Sequence, residues 1–289
     1  MHRHLASFVA LAALGFVIAG CPEDNKGGTT GGASTSKPAS TTPTAKPSGA
    51  ASATSTGGAA APTGNGTIKG VASLTGKAPE MKVPTARAKA EFCKDNKDVK
   101  YNAVIATGGK LKDVFVRIEN GGVKGKFDAP KTHATVEQKD CMYQPRIQGV
   151  VAGQDVDIKN LDGTLHNVHT YKGQESWFNQ GQPKGSDPID KPMPDEPTIV
   201  KFACDVHPWM RGFVIVTDHP FFGVSKDDGS FQIDKIPAGK YNVEAWHSHY
   251  GLKKGTVEVA DGKPAEWNIT FDEKDQEPAE NKDELKGLW

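Results

Sequence analysis

Thr198-Ile199-Val200-Lys201-Phe202-Ala203-Cys204-Asp205-Val206-His207-Pro208-Trp209-Met210-Arg211-Gly212-Phe213-Val214-Ile215-Val216 reads as a strand, a loop and a second strand. Apolar and polar residues alternate before Cys204, and a β-branched run follows Gly212, as strands require. The loop gathers a thiol, an imidazole three residues on and a thioether three further on. These three groups can wrap one ion, and Pro208 stiffens the turn between two of them. Soft sulfur with two imidazoles and a weak axial methionine is the ligand set of electron-transfer copper. A second imidazole must then come from elsewhere in the chain. Upstream stand His166 and His169, in Asn160-Leu161-Asp162-Gly163-Thr164-Leu165-His166-Asn167-Val168-His169. Residues three apart on a strand point to opposite faces, so only one of the two can serve.

Working outward, short alternating runs recur between Gly, Pro, Asn and Asp from Thr67 to Phe271. They include residues 67–71, 113–118, 155–158, 198–202, 212–216 and 241–246. Period-two alternation at this spacing predicts an all-β chain of antiparallel sandwich type. No long amphipathic helix is evident, and Ala86 to Phe92 suits at most a short one.

The paired motifs resemble the cupredoxin family, and C-x-x-H-P-x-M-x-G over residues 204–212 is similar to its plastocyanin- and amicyanin-like members. The resemblance covers roughly residues 132–217. It implies a cupredoxin-like Greek-key β-sandwich holding one type 1 copper on His166, Cys204, His207 and Met210. His166 is preferred to His169 because Asn167 follows it, and the resemblance gives that asparagine a role beside the cysteine sulfur. Trp209 and Phe213 are expected to form the apolar shell of the site. Residues 171–197, rich in Pro, Gly and Asp, depart from compact relatives and read as a lid or a partner surface.

Asp228-Gly229-Ser230-Phe231-Gln232-Ile233 and Pro237-Ala238-Gly239-Lys240-Tyr241 resemble a carboxypeptidase-regulatory-like, transthyretin-type β-sandwich. Residues 218–272 are assigned to this second sandwich, and strands within 66–131 look like its missing partners. Whether the copper unit is nested within it or the two stand in series is open at this stage.

Residues 1–21 read as a secretory signal, with an apolar run from Leu5 to Ala19 too short to span a bilayer. Ile18-Ala19-Gly20-Cys21 resembles the lipobox of bacterial lipoproteins, which implies a lipid on the Cys21 thiol and a periplasmic or cell-surface location. Residues 22–65 are almost wholly Gly, Ser, Thr, Ala, Pro and Lys, the composition of a disordered tether. The tail 273–289 is charged. In an oxidising compartment Cys93 and Cys141 are expected to pair, which leaves Cys204 as the thiol needing another explanation.

The 35 basic and 35 acidic residues cancel, so no global field favours nucleic acid, and a lipid would be the sole contact with the membrane. His133, His219, His247 and His249 could build a second site, with His247 and His249 on one strand face; solvent-facing or hydrogen-bonded histidines are the plainer reading. The sequence shows no P-loop, Rossmann or Ser-His-Asp signature. The expected function is a lipid-anchored carrier of single electrons between extracytoplasmic redox proteins. A copper-handling protein without turnover, a copper enzyme with a second histidine-rich site and an adhesion module are the alternatives.

Overall fold

The structure is a computed structural model that describes residues 63–96 and 99–276. The first strands are β1 (Gly66–Thr75), β2 (Ala106–Thr107), β3 (Lys110–Leu111) and β4 (Phe115–Ile118). Nine follow: β5 (Ala134–Lys139), β6 (Met142–Gln144), β7 (Ile147–Val151), β8 (Asp155–Asn160), β9 (His166–Lys172), β10 (Glu175–Gln182), β11 (Ile189–Pro192), β12 (Thr198–Ala203) and β13 (Arg211–Thr217). The last are β14 (Phe222–Val224), β15 (Ser230–Ile236), β16 (Gly239–His247), β17 (Gly251–Val259), β18 (Pro264–Glu266) and β19 (Ile269–Asp272). Two short 3-10 turns, Arg87–Lys89 and Cys93–Asn96, are the helical elements among the described residues.

The fold is all-β, and among the described residues the strands form four sheets. β10-β9-β12-β13-β7 and β11-β8-β5-β6 enclose one core, which includes Val136, Tyr143, Ile158, Val168, Val200, Phe202 and Val214. Parallel pairing of β7 with β13 and of β5 with β8 makes both sheets mixed. The other sandwich joins β15-β1-β3-β2, with β18 and β19 also on β1, to β14-β4-β16-β17. Its core includes Ile68, Leu74, Val116, Ile118, Phe231, Val243 and Phe271. Ile68 pairs with Ile233 and Leu74 with Phe271, so strands that precede and follow residues 134–217 share one sheet.

β13 is buried on both faces, which is why its sequence runs apolar rather than alternating. Val214 and Val216 enter the first core. Phe213 and Ile215 join Phe115, Ile147 and Trp246 in a third cluster between the two sandwiches, with Phe213 and Trp246 edge to face at 5.3 Å. Each such side chain contributes about 1.5–3 kcal/mol when fully buried. Phe213 was expected beside the metal ligands; strand alternation turns it the other way, toward the second sandwich. Residues 171–197, read as a lid or a partner surface, supply β10, paired along β9, and β11, paired with β8 in the facing sheet.

Candidate metal centre

β12 and β13 form an antiparallel hairpin whose last pair is Ala203 with Arg211. Residues 204–210 are therefore its loop, and the Met210 N–H donating to the His207 carbonyl at 2.8 Å closes a turn around Pro208. β9 lies on the other side of β12, with His169 opposite Ala203. Alternation along β9 sends His166 and Val168 inward and Asn167 and His169 to the other face.

The result is a buried convergence. Cys204 Sγ lies 3.9 Å from His166 Nδ1 and 3.8 Å from His207 Nδ1, and the two Nδ1 atoms are 2.8 Å apart. His166 and Met210 are fully buried and Cys204 and His207 nearly so. Met210 and Trp209 belong to the same core cluster as Cys204.

Electrostatics prepare these groups for a cation. Burial pushes the Cys204 thiol up, but hydrogen bonds from His166, His207 and the Asn167 N–H outweigh it and bring the pKa down to about 6. The sulfur is thus a thiolate at neutral pH, the form that binds metal. Burial lowers the His166 pKa, while Asp162 and the Cys204 sulfur raise it by more. His166 Nε2–H donates to Asp162 Oδ2 at 2.8 Å, which turns Nδ1 toward the Cys204 sulfur. Carboxylate partners of this kind set the tautomer and orientation of ligating histidines. Burial raises the Asp162 carboxyl as well, but the bonds from His166 and the backbone N–H groups of Cys141 and Asp140 hold it below the usual carboxylate range. One soft thiolate, two imidazoles and a buried thioether fit copper.

Around this set the ligand loop is tied down on several sides. Asn167 Oδ1 accepts from the backbone N–H of Asp205 at 2.7 Å, and the Asn167 N–H points at Cys204 Sγ at 3.5 Å. The Tyr143 hydroxyl lies 2.9 Å from the Ala203 carbonyl and 3.0 Å from that of Asn167, strapping both ligand strands. Trp209 packs on His207 at 5.1 Å and donates its Nε1–H to the Cys141 carbonyl at 3.0 Å.

Cys93 and Cys141 form a disulfide. The sequence offered no ligand near either, yet both sulfurs and a ring nitrogen of His207 lie within 4.8 Å of one another. Arg87, fully buried, donates to the carbonyls of Asp140 and Cys141 and lies over Trp209. His169 is not part of the convergence: it meets Asp205, Ser176 and Tyr171. His133 faces Asp157, Asp155 and Asp190. Buried His247 stacks on Tyr250 and accepts from the His249 N–H, and His219 sits against Phe221. Among the described residues, no convergence of three donors includes His219, His247 or His249. Cys21 lies outside the described residues. The disulfide is the pairing expected from the sequence. Asp162 and the approach of the disulfide to His207 were missed; the one local signal for Asp162 was its place four residues before His166.

The family described as BOS complex subunit NOMO1-like, second beta sandwich domain, matches residues 222–268. No curated protein matches the chain. Among solved structures, the chain is similar to a purple cupredoxin from Nitrosopumilus maritimus. The identity is 23% over 29% of this chain and 99% of that one, with a TM-score of 0.26. A copper-containing nitrite reductase from Thermus scotoductus SA-01 aligns at 17% identity over 41% of this chain and 27% of that one, with a TM-score of 0.28. A Cu(I) amicyanin variant aligns at 20% identity over 35% and 97% respectively, with a TM-score of 0.27. These are likenesses of fold in part of the chain; the site assignment rests on the geometry above.

Proposed function

We propose that this protein is a type 1 copper protein that carries single electrons between exported redox partners, and that it is not itself an enzyme. The observation that carries this reading is the buried convergence of Cys204 Sγ with the Nδ1 atoms of His166 and His207. Met210, buried in the same core cluster as Cys204, would be the fourth residue to hold the ion. Copper, when bound, would supply a one-electron Cu(II)/Cu(I) couple. The residues do the rest. The lowered Cys204 pKa favours the thiolate a metal needs, Asp162 accepts from His166 Nε2–H, and Asn167 and Tyr143 tie the two ligand strands together. A frame held this firmly places its donors alike for both oxidation states.

The surface suits brief docking. Leu161, Leu165, Val206 and Phe92 are exposed large apolar residues, each next in sequence to Asp162, His166, His207 or Cys93. Apolar rims of this kind mark interaction sites. Export is part of the proposal: the disulfide supports an oxidising compartment, and the lipid on Cys21 would be the membrane link. Among the described residues no helix is long and apolar enough to cross a membrane.

The test is spectroscopic. The protein with Cu(II) should show an intense visible sulfur-to-copper charge-transfer band and about one copper per chain. Cys204→Ser should abolish the band; a colourless wild-type protein would refute the proposal.

A further inference from the structure

His207 belongs to two donor sets. One is His166, Cys204 and His207; the other is Cys93, Cys141 and His207, and in each the donor atoms lie within 4.8 Å of one another. The second set borders a cavity of about 260 Å³ lined by Arg87, Phe92, Cys93, Asp95, Asp140 and Cys141. The two carboxylates outnumber the Arg87 guanidinium, so that lining stays net negative and favours a cation near the sulfurs. Cys93 itself sits on a short 3-10 turn in the excursion between β1 and β2, so one half of the bridge rides on a segment without strand pairing.

We propose that the Cys93–Cys141 pair, once reduced, is a copper(I)-receiving site that passes its ion inward through the shared His207. This rests on the inner set being the copper site argued above. Reduction is a thiol–disulfide exchange with a dithiol carrier. The carrier's two thiols become its disulfide as the Cys93–Cys141 bond breaks, and two electrons and two protons pass to the pair. Copper(I) then displaces both thiol protons. Two thiolates and an imidazole form a soft set suited to copper(I). Inward transfer exchanges Cys93 and Cys141 for Cys204 and His166 while His207 stays common, with no change in oxidation state. Cys93 and Cys141 regain their protons, and the reverse exchange with an oxidised carrier restores the bridge and seals the centre.

The full chain carrying Cys204→Ser isolates the outer set. After reduction with a phosphine that is then removed, and with copper(I) buffered by bicinchoninate, it should bind about one copper(I) per chain with two sulfur ligands in X-ray absorption. The bridged form should bind none, and neither should Cys204→Ser/Cys93→Ser. A reduced Cys204→Ser chain that binds no copper(I), or binding that survives Cys93→Ser, overturns the proposal. Loading kinetics give a second measurement. The reduced wild-type chain should load its inner site at least about tenfold faster than the bridged one. Cys93→Ser/Cys141→Ser, open but without thiols and shown to be folded by its visible band, should load no faster than the bridged form. Equal rates in the reduced wild type and this double variant also overturn it. Failure of the inner copper reading appears separately, as a wild-type protein that gives no visible band with Cu(II).

Discussion

Asp162→Asn tests the link between the ligand His166 and the scaffold. The Asp162 carboxylate is buried and accepts three bonds at 2.8 Å: Oδ1 from the Asp140 N–H, and Oδ2 from the Cys141 N–H and His166 Nε2–H. An amide keeps one oxygen and turns an NH₂ toward the remaining donors. A buried N–H left without a partner costs about 1–3 kcal/mol and the lost charge-assisted bond about 1.5–3 kcal/mol, so the metal-free protein should lose about 2.5–6 kcal/mol. Where the NH₂ faces His166, the ring can recover a bond only by accepting at Nε2, which moves its proton to Nδ1, the atom that faces Cys204. Loss of such a partner typically weakens metal binding about 10–100-fold. The loss should fall mainly on Cu(II), the more highly charged form. At about 59 mV per tenfold for one electron, the reduction potential should rise by roughly 60–120 mV. Urea unfolding of the metal-free chain, competitive Cu(II) titration and a spectroelectrochemical titration read the three quantities. An unchanged or lowered potential, with Cu(II) affinity within about threefold of wild type, would refute the reasoning.

Three other outcomes follow from the geometry. The Cys93–Cys141 bridge spans a sequence separation of 48, so Cys93→Ser/Cys141→Ser should cost about 4 kcal/mol of chain entropy in denaturant unfolding; a loss below about 1 kcal/mol contradicts it. Glu244 is buried, accepts from Arg117 Nη2 at 2.8 Å and meets Lys254 Nζ at 2.8 Å. Burial raises its carboxyl, but the bonds from Lys254 and Arg117 hold it below the usual range. Its stabilisation is therefore fully present above the ordinary glutamate pKa of about 4.3 and is lost as pH falls through the lower folded value. Glu244→Gln should lower stability at neutral pH by about 3 kcal/mol and flatten the profile below about pH 4.3; a parallel profile would count against it. A Cβ on Gly212 would lie 2.9 Å from Tyr143 Cβ and 3.4 Å from the Arg146 carbonyl oxygen. Gly212→Ala should therefore destabilise by about 1–3 kcal/mol and shift the visible band, since β13 starts one residue after Met210. An unshifted band with unchanged stability would show that the close approach does not matter.

Cys204, His207 and Met210 were legible in the sequence because seven residues of one hairpin loop carry all three, so connectivity alone brings them together. Alternation likewise separated His166 from His169, since a period of two decides which side chains share a face. The all-β class and most strands followed from the same periodicity, as in residues 212–216 and 241–246. Periodicity does not say which face meets which. Phe213 and Val214 are equally apolar, yet only the packing of β13 between two layers sends one to Trp246 and the other to the ligand core. The pairing of Ile68 with Ile233, the approach of the disulfide to His207 and the seating of Asp162 under the Cys141 N–H join segments distant in the chain. Those contacts depend on the closure of whole sheets, which no local pattern records, whereas the ligand loop needed only its own seven residues and the strand beside it.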